Sequence, residues 1–148
     1  MFKLIYRDGA PENTGHYEVF DKATGSGKAL AVGQLVSVSG NTASAYSSGK
    51  PYGVVAINAA EVDDAATVLR ITDDMIFETR CVYGNDPTEH NNHVRGKVLT
   101  VDDKTVTNTI ASSGYGFEIT DVEVVAINEE YGDHLQAKIK GRFVNLGA

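Results

Sequence analysis

The chain has 148 residues, of which 42% are hydrophobic and 22% charged, the size and composition of one globular domain. Its net charge of -7 lacks the basic footprint of a nucleic-acid binder, and its single cysteine excludes an intrachain disulfide. No apolar run approaches the roughly 20 residues that a membrane-spanning helix needs, so neither nucleic acid nor membrane is expected as a partner.

Residues 1–29 contain turn sequences rather than regular alternation. Asp8-Gly9 and the Gly/Ser-rich run Thr24–Gly27 are typical of turns and loops. Aromatic and aliphatic side chains are scattered between these turns. We therefore predict an extended N-terminal arm that lies outside the folded domain and offers contact points to a partner.

The remaining residues, 30–148, are predicted to form one all-β domain. The chain contains 17 Val and 12 Thr but only 7 Leu, and β-branched residues favour strands. The best helix candidate, Asn58–Thr67, is either one or two turns or a loop. Many short strands at close spacing indicate a small barrel or sandwich. Alternation and turn signals predict strands at 30–38, 50–58, 67–72, 75–83, 96–101, 104–110, 117–120, 121–128 and 135–144.

An internal repeat relates two parts of this domain, at about 30–82 and 94–144. Gly33–Val38 matches Gly96–Val101 at an offset of 63 residues, and Val54–Asn58 recurs unchanged as Val124–Asn128. The turn Ser-Ser-Gly also occurs once in each part, ending at Gly49 and Gly114. We therefore predict two similar β units that share one core. Two copies of this length do not make a solenoid.

The acidic residues are concentrated in the middle of the chain. The net charge is +1 over residues 1–60, -11 over residues 61–133 and +3 over residues 134–148. This distribution is typical of a solvated exterior. It also fits an acidic outer face whose neutral or basic ends dock onto something else, and both interpretations stay open.

Catalytic and nucleotide-binding patterns are incomplete. A phosphate loop would need a glycine at position 22 and a hydroxyl residue after Lys28, but Lys22 and alanine stand there. We expect the stretch before Lys28 to be a flexible linker. There is no Gly-x-Ser-x-Gly elbow, and Cys81 lies within an apolar strand, where we expect a buried thiol.

A metal site is the other chemical possibility. His90 and His93 lie three residues apart near Asp86, and two imidazoles with a carboxylate can bind a metal ion. In a polar loop, however, this spacing fixes no common direction for the side chains. We expect a solvated loop, and we predict neither a metal nor a cofactor.

The order of the strand motifs resembles a known family. A Gly-hydrophobic-Val strand, here Gly33–Val36, is followed by a hairpin and a Pro-x-Gly-Val-Ala strand, here Pro51–Ala56. This pattern resembles the small β-barrel decoration (cement) proteins of tailed-phage capsids. That family often repeats the unit, as Gly96–Val101 and Val122–Ile127 would do. The resemblance covers roughly residues 28–144, while the arm and the central acidic loop lie outside it.

The resemblance implies a structural virion protein without catalysis. Such a protein binds the major capsid protein on the outside of the capsid lattice, as a homo-oligomer with a trimer favoured, and stabilises the head. It would be made in the host cytoplasm and reside on the outer surface of the virion. Deleting residues 1–20 should then abolish binding and leave the fold intact. The apolar residues of the arm are the predicted contacts: Phe2, Leu4, Ile5, Tyr6, Tyr17 and Phe20.

Two alternatives remain from the sequence. The first is a carbohydrate- or receptor-binding β module of a phage particle, which would use exposed tyrosines. The second is a small metal-dependent β-fold enzyme built on Asp86, His90 and His93. The tyrosines that the first alternative requires on the surface are Tyr46, Tyr52, Tyr115 and Tyr131.

Overall fold

A computed structural model describes residues 1–7, 16–83, 92–126 and 135–147. Every regular element in these ranges is a strand, so the all-β prediction is confirmed. The predicted strands 117–120 and 121–128 merge into one long strand. The strands are β1 (Lys3–Arg7), β2 (Tyr17–Lys22), β3 (Leu35–Ser39), β4 (Thr42–Ala45), β5 (Gly53–Val55), β6 (Ala65–Arg70), β7 (Met75–Tyr83), β8 (Val98–Val101), β9 (Val106–Ile110), β10 (Tyr115–Ala126) and β11 (Leu135–Asn145).

Six of the strands form an antiparallel sheet in the order β1-β7-β11-β10-β8-β9. The longest strands lie at its centre, where β10 pairs with β11 from Tyr115 opposite Asn145 to Ala126 opposite Leu135. Outward-facing charges on these strands pair across the ladder, as between Lys138 and Glu78 at 3.3 Å. The outer face of this sheet is therefore polar and ion-paired.

The other five strands close into a barrel in the order β2-β4-β3-β5-β6. Strand β2 completes the closure because it pairs antiparallel with β6 along Tyr17–Asp21 and parallel with the start of β4. A closed barrel has no free edge strand, which protects the backbone groups of these short strands.

Alternating residues of the barrel strands serve two separate cores. Val36, Val55 and Val68 point into the barrel, whereas their neighbours on the same strands point towards the six-stranded sheet. This follows from the two-residue period of a strand. The neighbours pack against the buried aromatic residues of the sheet, so the barrel and the sheet share the larger core. Its barrel members are Leu35, Tyr46, Val54 and Leu69.

The described part of residues 1–29 does not form a separate arm. Strand β1 pairs with β7 at the edge of the sheet, and β2 belongs to the barrel. Phe2 is 2% exposed, and its ring centroid lies 5.7 Å from that of Phe117 and 5.2 Å from that of Phe143. The arm prediction failed because β7, which pairs with β1, and β6, which pairs with β2, are about 45 to 75 residues away in the sequence, beyond any local pattern.

The two repeat units share local hydrogen bonding at the start of their first strands. Gly33 and Gly96 have φ angles of +90° and +88°. In both turns, the N–H of the residue after the glycine donates to the carbonyl of the residue two positions before that glycine, at 3.0 Å. Val55 and Ile119 then donate to equivalent carbonyls, both at 2.9 Å. These turns explain why the same short motif occurs twice.

The longest identical stretch of the repeat is not structurally equivalent. Val54 lies in β5 and is 4% exposed, whereas Val124 lies near the far end of β10 and is 47% exposed. The segment that occupies the place of β5 in the second unit is the beginning of β10, at Phe117. Strands β3 to β6 of the first unit close into the barrel, while its last strand, β7, lies in the six-stranded sheet with the second unit.

The candidate helix is a loop followed by β6. The side chain of Asn58 accepts a hydrogen bond from the backbone N–H of Val32 at 2.8 Å, so it does not cap a helix. Ala59 pairs with Leu30 in an isolated bridge that holds this loop against the barrel.

Candidate docking groove between the barrel and the sheet

The structure divides the predicted contact residues into buried and accessible groups. Phe2 lies in the core of the sheet, and Phe20 is 8% exposed in the barrel, where its ring meets Tyr52 edge-on at 5.4 Å. Both side chains are covered by the chain's own strands. Their assignment as contact residues is therefore corrected: each packs within one of the two cores and does not face a partner.

The other four predicted residues reach the surface to different degrees. Tyr6 and Tyr17 are each 52% exposed. Leu4 and Ile5 are partly buried, and Leu4 packs against the larger core. Accessible apolar side chains on β1 and β2 thus lie next to the junction of the barrel and the sheet.

A groove of about 350 Å³ runs along this junction, and we call it the inter-sheet groove. Leu4 and Tyr17 line it and Phe2 contributes to its wall, whereas Ile5 and Tyr6 lie outside it. Predicted residues from β1 and its start and from β2 therefore meet at one feature. The full lining is Met1, Phe2, Lys3, Leu4, Tyr17, Val32, Gly33, Val54, Val55, Ala56, Leu69 and Phe77.

A close backbone contact builds one wall of the groove. The N–H of Phe2 donates to the carbonyl of Gly33 at 2.7 Å. A Cβ atom at Gly33 would lie 2.8 Å from the Cβ of Met1 and 2.9 Å from the carbonyl oxygen of Phe2. Together with its φ of +90°, this contact explains why glycine is needed at the turn.

The rim of the groove is apolar and exposed. Met1, Tyr17 and Val32 are 44%, 52% and 50% exposed. Val19, two residues from Tyr17 and therefore on the same face of β2, is 68% exposed and extends the apolar surface. A contiguous exposed apolar surface on a soluble domain is typical of an interaction site.

The described lining of the groove is also free of acid. Among the described residues it contains Lys3 and no carboxylate, although the chain has a net charge of -7. Met1 and Val32 were not among the predicted contacts, although Val32 lies within the predicted strand 30–38, because nothing in the local sequence places either residue near Tyr17. Only the tertiary arrangement brings them beside Tyr17.

The metal hypothesis gains no support from the described residues. Asp86 and His90 lie outside the described ranges, and His93 is 3% exposed. Among residues 1–7, 16–83, 92–126 and 135–147, no group of three or more His, Cys, Asp or Glu side chains is arranged to hold a metal ion.

The glycine-rich segment before Lys28 is tied to the neighbouring loop. The N–H of Gly25 donates to the carbonyl of Glu61 at 2.9 Å, and the N–H of Gly27 donates to its carboxylate at 3.1 Å. The N–H of Lys28 donates to the carbonyl of Gly25 at 3.1 Å. These donors are occupied, so the segment is not a backbone cradle for phosphate groups.

The remaining reactive or aromatic candidates have structural roles. Cys81 is buried, as expected, and burial raises the pKa of its thiol to about 11. Tyr46 is 9% exposed and donates to the carbonyl of Gly49, and the hydroxyl of Tyr52 donates to a carboxylate. Tyr115 is partly buried, and Tyr131 lies outside the described residues. Tyr46, Tyr52 and Tyr115 therefore do not form the exposed surface that the carbohydrate- or receptor-binding alternative requires.

Comparisons with protein-family models, with curated proteins and with solved structures found no match to this chain. No helix in the described part of the chain is long and apolar enough to cross a membrane.

Proposed function

We propose that this protein is a structural virion protein that binds the outside of a phage capsid lattice and stabilises the head. Its partner is the major capsid protein, it acts as a homo-oligomer with a trimer expected, and it performs no catalysis. The proposal rests on the order of its strand motifs, on the two-sheet all-β fold and on the inter-sheet groove.

The observation that carries the proposal is the chemistry of the inter-sheet groove. An apolar rim formed by Met1, Tyr17 and Val32 gives favourable burial on contact, at roughly 25 cal/mol for each Å² removed from water. The described residues that line the groove include no carboxylate, which avoids repulsion by an acidic shell. Because a lattice offers many identical sites, weak individual contacts of an oligomer add up to strong attachment.

The direct test is co-sedimentation of the purified protein with undecorated shells of the cognate phage. We expect saturable binding to expanded shells, weaker or no binding to proheads, and a copy number fixed by the lattice. Failure to bind either form of the shell would remove the capsid proposal and leave the fold unaffected.

A matched pair of substitutions locates the contact surface. Val32→Asp places a charge on the groove rim, whereas Val62→Asp makes the same change at an 84% exposed valine on a loop outside the groove. We expect Val32→Asp to weaken shell binding at least tenfold and Val62→Asp to bind like the unmodified protein. Both variants should keep the same melting temperature within about 2 °C, because neither side chain is in a core. Equal binding by the two variants would place the contact surface elsewhere.

A further inference from the structure

The inward face of β2 ends in a buried lysine. Glu18, Phe20 and Lys22 alternate along this face of the barrel. At one end, the carboxylate of Glu18 accepts a hydrogen bond from the hydroxyl of Tyr52 at 2.8 Å. At the other end Lys22 is 5% exposed, and its Nζ donates to the carbonyl of Ala23 at 2.7 Å. The Glu18 carboxylate thus has a hydroxyl donor beside it, whereas the Lys22 ammonium group has one carbonyl acceptor among the described residues.

A buried ammonium group normally has a counter-charge. It carries three N–H donors and is costly to bury without an anion. Within the described ranges, neither Lys22 nor Lys28 lies within 4.0 Å of a described carboxylate, since the ion pairs found there involve other cations. The structure therefore contains a buried positive charge to which the described residues supply no anionic partner.

Lys22 lines a cavity of about 190 Å³ at the rim of the barrel, and we call it the barrel-rim cavity. Lys28 lines it as well, and residues 42–45 of β4 form another wall. No acidic residue is among the described residues of the lining, in a chain that has 20 of them. The complete lining is Lys22, Ala23, Gly27, Lys28, Leu30, Thr42, Ala43, Ser44 and Ala45.

We propose that the barrel-rim cavity binds a small tetrahedral oxyanion, such as inorganic phosphate or sulfate. The ammonium groups of Lys22 and Lys28 are charge-assisted donors suited to oxyanion oxygens. The cavity is smaller than the roughly 300–1,000 Å³ of sites for organic ligands, which favours a free ion over a nucleotide. The occupied N–H groups of Gly25 and Gly27 also separate this site from a nucleotide-binding loop.

Thermal unfolding of the full chain tests the proposal. Melting temperatures are measured in increasing sodium phosphate, in increasing sodium sulfate and in sodium chloride at matched ionic strength. A ligand that binds only the folded state raises the melting temperature as its concentration passes the Kd. We expect phosphate and sulfate to raise the melting temperature beyond chloride, in proportion to the logarithm of the anion concentration above the Kd. An equal response to all three salts would overturn the proposal.

Three lysine variants make the test specific to the site. Lys28→Met should weaken phosphate binding at least tenfold, whereas Lys97→Met, the same change at an exposed lysine outside the cavity, should leave it unchanged. Lys22→Met should abolish the phosphate response, but Lys22 is buried, so this substitution also perturbs the fold. Lys28 is exposed, so Lys28→Met leaves the fold intact and makes the test decisive. A phosphate response of Lys28→Met equal to that of the unmodified protein would refute the site.

Discussion

At the scale of single residues, burial decides which of the conspicuous side chains are chemically available. Phe2 and Phe20 have the apolar character expected of contact residues, but they are 2% and 8% exposed because strands from distant parts of the chain cover them. Tyr17 and Val32 are half exposed and meet at the inter-sheet groove. Residue type alone therefore identified apolar contact candidates, and the fold selected among them.

Cys81 gives a prediction at this scale. Its thiol is buried and its pKa is raised to about 11, so the reactive thiolate is scarce near pH 8. We expect Ellman's reagent to modify the folded protein at least 100-fold more slowly than the protein unfolded in urea. The control is Ser113→Cys in a Cys81→Ser background, which puts a thiol at an exposed turn and should react fast in both states. Fast modification of Cys81 in the folded protein would show that β7 opens readily.

At the scale of elements, the close approach of β10 to β11 depends on Gly141. A Cβ atom there would lie 2.1 Å from the carbonyl oxygen of Glu118 and 2.7 Å from Cε1 of Phe117. The first of these is a backbone atom of the paired strand and cannot move without disturbing the ladder. Gly116 is tight too, but a Cβ atom there would meet a side-chain atom of Val98 first, at 2.6 Å, and backbone only at 3.0 Å.

These contacts predict a ranking of two alanine substitutions. Gly141→Ala should lower the free energy of unfolding by about 3 kcal/mol, near the upper end of the usual cost of overpacking, because backbone must shift. Gly116→Ala should cost about 1 kcal/mol, because the side chain of Val98 can rotate away. Urea unfolding monitored by circular dichroism measures both. A smaller loss for Gly141→Ala than for Gly116→Ala would show that β10 and β11 adjust more easily than their register implies.

The strands also show what the sequence could and could not predict. The long strands β7 and β11 begin at the predicted residues because alternation extends over nine or more positions. The short strand β4, with 4 residues, gave no usable period and was missed. Strand β5 spans only Gly53–Val55, since the apolar run that predicted 50–58 continues into the loop. In the groove, the predicted contacts Leu4 and Tyr17 lie beside Met1 and Val32, which were not predicted because only the tertiary fold brings them there.

At the scale of the whole molecule, the two repeat units are alike locally and different globally. Each begins with a glycine turn, at Gly33 or Gly96, followed by a strand and a hairpin. Strands β3 to β6 of the first unit close into a barrel with β2, whereas the second unit stays a sheet and pairs there with the last strand of the first unit, β7. The local sequence determines the similar turns of the two units. The difference between barrel and sheet depends on which distant strands pair with each unit. The repeat therefore predicted the similarity of the turns and missed the asymmetry of the sheets.

The same dependence on distant strands governs the last prediction, the outcome of deleting residues 1–20. The deletion removes β1 and most of β2, which opens the barrel, and it takes Phe2 and Phe20 out of the two cores. Loss of one buried phenylalanine side chain already costs about 3–5 kcal/mol, and a domain is usually stable by only about 5–15 kcal/mol. We therefore expect the truncated protein to lose its cooperative thermal transition and its near-ultraviolet circular dichroism, whereas Tyr17→Ala, an exposed change on β2, should keep both. A truncated protein that still unfolds cooperatively would restore the separate arm. If it does not, its failure to bind shells reports unfolding, and only surface changes such as Val32→Asp report on the contact itself.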